Sequence, residues 1–223
     1  MEKKINVITL GAVGVGKTSI IMRIQNGTFT EEVKATLNVN HFIIKKPYQK
    51  KNLTISLNFR DTAGGEQFQN ILPKQYIRDS HIVLLVFDNV DTLNDLNKRW
   101  FRFYKENSNI DNSKFILIGN KSDTFGDQKE QIIKYGEEFS QEINAHFITC
   151  SVKSDDNMDN LERYIVTEAR RFIDEEEKIQ NNINNENNDE DKNKAEQSNK
   201  RISFNLEKEI KIKEQDECFL KLC

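Results

Sequence analysis

The chain has 223 residues, of which 36% are hydrophobic and 31% are charged, and its net charge is −3. This length suits one ordinary domain followed by a tail, and the near balance of charge gives no reason to expect nucleic acid as a partner. The three cysteines (Cys150, Cys218 and Cys223) are too few for a disulfide framework, which favours a reducing compartment.

The first residues begin a strand-like segment and lack the architecture of a signal peptide. Position 2 is Glu2, which excludes N-myristoylation because that modification needs glycine there. No apolar run approaches the roughly 18 residues that a membrane span needs. We therefore expect an intracellular protein that does not cross a membrane.

Strand-like runs and amphipathic stretches alternate up to about residue 173, which predicts an α/β domain with a mainly parallel sheet and helices on both faces. A polar stretch at Lys45–Asn52 predicts a hairpin loop, and hence one antiparallel edge strand. The predicted strands are Ile5–Leu10, His41–Lys45, Leu53–Phe59, Ile82–Asp88, Phe115–Asn120 and His146–Cys150. The predicted helices are Thr18–Gln25, Asp91–Tyr104, Lys129–Glu142 and Met158–Ile173.

A phosphate-binding pattern follows the first strand, where residues 5–19 read INVITLGAVGVGKTS. Gly-x-x-x-x-Gly-Lys-Thr between a strand and a helix is the P-loop pattern, in which backbone N–H groups and the helix N-terminus point at phosphate oxygens. Lys17 would then bridge the β- and γ-phosphates, and the Thr18 hydroxyl would coordinate Mg²⁺. The remaining predicted nucleotide contacts in this segment are Gly11, Val13, Gly14, Val15, Gly16 and Ser19.

A second motif indicates which base is bound, because ATPases, kinases and GTPases all share the P-loop. Asn120-Lys121-Ser122-Asp123 directly follows an apolar strand. The Asp123 carboxylate can accept two hydrogen bonds from guanine, whereas adenine lacks those donors and would leave the charge unpaired. The Lys121 stem can cover the base, and Asn120 can tie this loop to the P-loop. The motif therefore predicts guanine specificity and disfavours an ATP-using kinase.

These two motifs, in this order, make the chain from Ile5 to about Ile173 resemble a Ras-superfamily small GTPase, and within it the Rab family. The resemblance implies the P-loop small-GTPase fold, with GTP or GDP and Mg²⁺ bound. It also implies that Phe29 contacts the edge of the guanine and that Thr36 completes the Mg²⁺ coordination. The segment ATLNVNHF is similar to the Rab pattern ATIGVDF, with Asn38 and Asn40 as replacements.

Further site residues follow from the same resemblance. Asp61 would reach Mg²⁺ through water, and the Gly64 N–H would meet the γ-phosphate. The loop Ser151-Val152-Lys153 would contact the guanine oxygen through its backbone. The resemblance also implies a monomer with effector proteins, an exchange factor and a GTPase-activating protein as partners. Its expected place is the cytoplasmic face of endomembranes. The stretch ILPKQYIRDS resembles a Golgi-associated Rab branch, and Arg60 stands where the family usually has Trp.

The chain departs from the family at the catalytic glutamine. The family reads D-T-A-G-Q-E, whereas this chain reads D-T-A-G-G-E, so Gly65 takes the position of the residue that orients the attacking water. Two hypotheses remain open: a GTP hydrolase with a low intrinsic rate, or a GTP-bound interaction module that barely hydrolyses. One extra residue before Tyr76 also leaves open a substitute role for Glu66 or Gln67.

The composition changes at Asp174, so we predict a GTPase domain over residues 1–173 and a disordered, acidic and Asn-rich tail over 174–223. This tail holds 9 Lys/Arg against 14 Asp/Glu, so it lacks a basic membrane signal. Rab proteins are geranylgeranylated on C-terminal cysteines, which makes Cys223 and Cys218 candidate lipidation sites for peripheral membrane attachment, although the chain has no CaaX box. Two unmodified cysteines are the alternative. Cys150 is expected in the core.

Overall fold

The computed structural model describes residues 1–31, 35–65, 74–108 and 113–182. The chain divides into two units, Met1–Ile173 and Asp174–Cys223. Among the described residues, none of the helices combines the length and the apolar character needed to span a membrane.

Strands and helices alternate through the first unit. The strands are β1 (Glu2–Leu10), β2 (Val39–Tyr48), β3 (Leu53–Thr62), β4 (Ile82–Phe87), β5 (Lys114–Gly119) and β6 (His146–Thr149). The helices are α1 (Lys17–Asn26), α2 (Lys74–Arg78), α3 (Val90–Asp95), α4 (Arg102–Asn107), α5 (Lys129–Glu142) and α6 (158–173). A π-helical segment, Leu96–Phe101, joins α3 to α4.

One six-stranded sheet organises the domain in the order β2-β3-β1-β4-β5-β6. The β2–β3 pair is antiparallel and the other four pairs are parallel. In this register Leu57 lies between Ile5 on one side and Ile44 on the other. The predicted mainly parallel sheet with one antiparallel edge strand is therefore confirmed.

Apolar side chains cover both faces of the sheet, which is why its central strand β4 is buried throughout. One cluster joins the sheet to α1 and α6, with Leu57, Ile21 and Ile165 among its members. The other joins it to the helices between β4 and β6, with Leu85 and Trp100 among its members. Cys150 lies in the first cluster, and burial raises the pKa of its thiol to about 12.

The structure differs from the sequence-based expectation in three places. The helix α2 was not expected, and the predicted helix Asp91–Tyr104 contains a π-helical segment that carries the buried Trp100. Residues 174–182 are helical, whereas their composition predicts disorder. Glu, Lys and Gln have good intrinsic helix propensity, which polar composition alone does not reveal. The rest of the predicted tail, 183–223, lies outside the described residues.

Candidate functional site

The phosphate loop, residues 11–18, connects β1 to α1 through a path that only glycine can follow. Gly11 has a φ of 147° and Gly16 a φ of 96°. A Cβ on Gly11 would lie 2.1 Å from the carbonyl oxygen of Val86, and one on Gly16 would lie 2.2 Å from Nδ2 of Asn120. The loop is thus fitted closely between β4 and the loop that begins at Asn120.

A buried cation sits inside this loop. Lys17 is only 6% exposed, and its Nζ donates to the carbonyl oxygens of Gly11 at 2.9 Å and Ala12 at 2.8 Å. Burial lowers the pKa of Lys17 to about 8, although the charge of Asp61 opposes this effect. A bound anion would favour the charged form of this ammonium.

Three hydroxyl groups converge on the buried carboxylate of Asp61 at the end of β3. Thr18 donates to Oδ2 at 2.7 Å, Thr36 donates to the same oxygen at 3.1 Å, and Thr9 donates to Oδ1 at 3.3 Å. Thr18 Oγ1 and Thr36 Oγ1 lie 3.1 Å apart. Burial raises the pKa of the Asp61 carboxyl, while the Thr18 hydroxyl and the Lys17 charge act in the opposite direction.

This oxygen cluster fits Mg²⁺. Hard oxygen ligands from one or two side chains, completed by water and phosphate, are the set that Mg²⁺ prefers. Thr18, Thr36 and Asp61 supply such oxygens beside the phosphate loop, although they are 18 to 43 residues apart in the chain. In the described part of the chain, no cluster of three or more His, Cys, Asp or Glu side chains offers a different metal site.

The base loop, residues 120–124, is tied to two neighbours by Asn120, which is 2% exposed. Its Nδ2 donates to the carbonyl oxygen of Val15 at 2.8 Å, and its Oδ1 accepts the N–H of Val152 at 3.4 Å. Lys121 adopts a φ of 61°, and its Nζ lies 2.7 Å from Oδ2 of Asp88. The base loop therefore contacts the phosphate loop, the end of β4 and the loop after β6.

The carboxylate of Asp123 is held by a side chain from that last loop. The buried Ser151 donates its hydroxyl to Oδ1 of Asp123 at 2.5 Å, and Ser151 Oγ accepts the N–H of Ser154 at 3.1 Å. Sequence reasoning predicted only a backbone role for Ser151 and no role for Asp88. Their positions in the chain could have indicated these roles, because both residues follow the carboxyl ends of strands, β6 and β4, where such sheets bind ligands.

A single cavity of about 550 Å³ joins these parts, a volume in the range of small-molecule sites. Its walls also include Thr30, Glu31, Ala35, Leu37, Thr62 and Thr124, for which the sequence predicted no nucleotide contact. Gly11, Val15, Asp61 and Ser151 are buried and are absent from its wall. The predicted residues on the wall are Val13, Gly14, Gly16, Lys17, Thr18, Ser19, Phe29, Thr36, Gly64, Gly65, Asn120, Lys121, Asp123, Val152 and Lys153.

The end of β3 runs close against the phosphate loop. A Cβ on Gly64 would lie 2.4 Å from the backbone of Ala12 and Val13, so no side chain fits there. The Ala63 N–H donates to the carbonyl oxygen of Asn38 at 3.0 Å, which links this segment to the one before β2. Gln67, Cys218 and Cys223 lie outside the described residues.

The sheet order, the phosphate loop and the base loop define a P-loop nucleotide-binding protein of mixed α/β architecture. The chain belongs to the Ras family, whose family model matches residues 6–171. Ras-family GTPases in general bind guanine nucleotide and Mg²⁺.

Curated relatives add a Rab-like character. The chain is 35% identical over 119 residues to Ras-related protein Rab-12 of Mus musculus, Rattus norvegicus and Homo sapiens. These alignments cover 52% of this chain and 47% of each relative, so the chain spans about half the length of the curated relatives it matches. The predicted resemblance to Ras-superfamily GTPases of the Rab type is confirmed.

Proposed function

We propose that this chain is a guanine-nucleotide switch that binds GTP or GDP with Mg²⁺ and recruits effector proteins in the GTP-bound form. The observation that carries this proposal is that one cavity is lined both by the buried Lys17 and by Asp123, whose carboxylate accepts from Ser151. A cation and a carboxylate on the wall of one cavity complement the phosphates and the guanine base of one ligand.

Different residues would bind different parts of this ligand. Lys17 and the N–H groups of the phosphate loop bind the phosphates, and Thr18 and Thr36 would hold Mg²⁺ with Asp61 beside them. When bound, Mg²⁺ neutralises charge that develops on the phosphate oxygens. Asp123 accepts hydrogen bonds from the guanine.

A nucleotide-dependent change of shape follows from the position of Thr36. Its hydroxyl reaches Thr18 and Asp61, so Mg²⁺ and the γ-phosphate would hold the segment before β2 against the phosphate loop. Gly64 approaches the same loop, and the Ala63–Asn38 hydrogen bond couples the two segments. Loss of the γ-phosphate would release both segments, and partners would distinguish the two surfaces.

The hydrolysis step is expected to be slow. Gly65 lines the cavity beside Gly64 but has no side chain that would orient an attacking water. A GTP hydrolase with a low intrinsic rate, accelerated by an activating protein, is the first form of the proposal. The second is a GTP-bound interaction module with little hydrolysis of its own, which the same glycine favours.

The similarity to Rab-12 proteins supports a role in intracellular vesicle and membrane trafficking. We place the protein on the cytoplasmic face of endomembranes, Golgi or endosomal, as a monomer with an exchange factor and an activating protein as further partners. Cys223 and Cys218 are the proposed prenylation sites for peripheral attachment.

Nucleotide binding by the purified full chain tests this proposal. Fluorescent GDP and GTP analogues should bind in the presence of Mg²⁺, and unlabelled ATP should not displace them. Asp123→Asn should weaken GDP binding by about 100-fold or more, because a neutral amide cannot accept both guanine hydrogen bonds. Asp127→Asn, the same change at an exposed neighbour, should bind normally. Displacement by ATP, or an unchanged Asp123→Asn variant, would contradict the proposal.

A further inference from the structure

A second concavity of about 570 Å³ lies on the β2–β3 hairpin, and among the described residues it shares no wall with the nucleotide cavity. We call it the hairpin groove and define it by His41, Ile43, Lys45, Asn58, Arg60 and Tyr76. His41 pairs with Arg60, Ile43 with Asn58, and Lys45 with Ser56 across the two antiparallel strands. Directly paired residues share one face of a sheet, so these side chains form a continuous surface.

The wall of the hairpin groove includes a guanidinium group that Tyr76 holds in place. Arg60 Nη1 donates to the carbonyl oxygen of Tyr76 at 2.7 Å, and the guanidinium carbon lies 4.8 Å from the centre of the Tyr76 ring. The His41 ring packs against the same ring in a T-shaped arrangement, with the centroids 5.3 Å apart. An arginine carries five N–H donors in a planar fork that matches a carboxylate, and prior fixation reduces the entropy lost on binding.

The charges along the groove favour an anionic occupant. Among the described residues of its wall, Lys4, Lys45 and Arg60 are positively charged and Glu2 carries the one carboxylate, although the whole chain has a net charge of −3. Glu2 is already engaged, because Lys45 Nζ lies 3.4 Å from its carboxylate and Ser56 donates to it. The wall therefore carries an excess of positive charge, to which Arg60 contributes apart from the Glu2–Lys45 pair, and the nearby Asp79, which is not on the wall, partly offsets it.

Two further features of the groove concern the burial of Arg60 and the exposure of Ile43. Burial lowers the pKa of the half-buried Arg60 guanidinium, and the nearby Asp79 and Tyr76 oppose that effect. Beside it, Ile43 is 60% exposed, an apolar side chain on an otherwise polar face. An aliphatic contact there would remove apolar surface from water.

The groove is also adjacent in the chain to the nucleotide site. Arg60 directly precedes Asp61, and β2 continues from the segment that carries Thr36. A change that moves Thr36 away from Asp61 would therefore act on the segment that leads into β2, whose His41 pairs with Arg60.

We propose that the hairpin groove docks a partner segment that presents an Asp or Glu carboxylate to Arg60 and an adjacent aliphatic side chain to Ile43, with preference for the GTP-bound form. This inference rests on the proposed recruitment of partners by a nucleotide switch and names the chemistry of the partner. Fork-like pairing of arginine with a carboxylate supplies direction, and the aliphatic contact supplies additional affinity.

Peptide selection on the full chain tests this inference. A random 12-residue peptide library displayed on phage is selected against protein loaded with a non-hydrolysable GTP analogue, and against protein loaded with GDP. The expected peptides carry Asp or Glu next to Leu, Ile or Val and bind the GTP-analogue form more tightly. Arg60→Gln should weaken the binding of these peptides about tenfold or more, because the charge-assisted pair is lost. Arg60→Glu should instead select peptides rich in Lys or Arg.

A matched variant shows whether the effect belongs to this groove. Arg102→Glu reverses the charge of an exposed arginine on α4, whose Nε lies 2.9 Å from Glu106. This variant should bind the selected peptides as tightly as the wild type does. Arg60→Lys keeps the charge but loses the fork, so it should bind with intermediate affinity if the other Arg60 variants fold poorly. Melting temperature and GDP affinity report on the folding of each variant.

The outcomes separate the inference from the proposed function. Selected peptides that are basic or wholly apolar, or acidic peptides unaffected by Arg60→Gln, would overturn the inference, as would a library that yields no groove-dependent peptide. Each of these results leaves the nucleotide switch intact if GDP and GTP still bind. Failure of the wild-type chain to bind guanine nucleotide would instead overturn the proposed function.

Discussion

Lys121 Nζ lies 2.7 Å from Oδ2 of Asp88, so the carboxyl end of β4 holds the side chain that follows Asn120. Asp88 is itself fixed, because its Oδ1 accepts from Thr92 and Asn89 at 3.0 Å. The Lys121 backbone has a φ of 61°, and Lys121 lies on the wall of the nucleotide cavity. We therefore expect Asp88 to position Lys121 for the proposed guanine contact.

Replacing Asp88 with Asn should accelerate GDP release. The neutral amide keeps the size of the side chain but weakens the attraction that holds the partly exposed Lys121, so we expect release to be about three- to tenfold faster. Stopped-flow displacement of a fluorescent GDP measures the rate. Asp91→Asn, a matched change at an exposed residue of α3, should have no effect. An unchanged rate in Asp88→Asn would show that Lys121 is positioned without it.

The sequence predicted the main parts of the site because each motif lies where a strand ends. Gly11–Thr18 follows β1 and Asn120–Asp123 follows β5, and the carboxyl ends of parallel strands meet at one edge of the sheet. The strand order itself was beyond the sequence, since apolar runs such as β4 and β5 carry no information about which neighbour they pair with.

Other features depend on contacts that no local pattern contains. The Asp88–Lys121 pair joins residues 33 positions apart, and the Ser151–Asp123 bond joins residues 28 positions apart. The π-helical segment at Leu96–Phe101 could not be predicted from the sequence for a different reason. One additional residue in a helical turn hardly alters the spacing of apolar residues, so the sequence pattern remains helical.

Nucleotide binding near pH 8 should be accompanied by proton uptake at Lys17. Burial lowers the pKa of this ammonium from 10.5 to about 8 in the nucleotide-free protein, so a large fraction is neutral there. Bound phosphates favour the charged form, so the complex holds more protons than the free protein and its affinity should fall as the pH rises above about 8.

Calorimetry in two buffers of different ionisation enthalpy measures this uptake. GDP binding should take up a fraction of one proton at about pH 8, and the affinity should fall by up to about tenfold per pH unit above it. Guanosine, which has no phosphates, should show little uptake and a flatter pH profile. Equal proton uptake for GDP and guanosine would exclude Lys17 as its source.

Gly65→Gln should accelerate GTP hydrolysis. The added amide lies where the wall of the cavity meets Gly64, and a glutamine there can orient an attacking water, whereas glycine cannot. Single-turnover hydrolysis of preloaded Mg²⁺-GTP should become faster by about tenfold or more, a size typical of one group that positions a reactant. Gly65→Ala should remain slow, because it adds a Cβ but no amide.

The comparison of the three proteins also decides between the two forms of the proposed switch. A slow wild type and a fast Gly65→Gln variant would mean that Gly65 sets the lifetime of the GTP-bound state, so that partners remain recruited until an activating protein intervenes. If the wild type hydrolyses GTP as fast as Gly65→Gln, the hypothesis of impaired hydrolysis is wrong, and another residue must orient the water. Gln67 is then the first to replace, since it follows Gly65 by two positions in the chain.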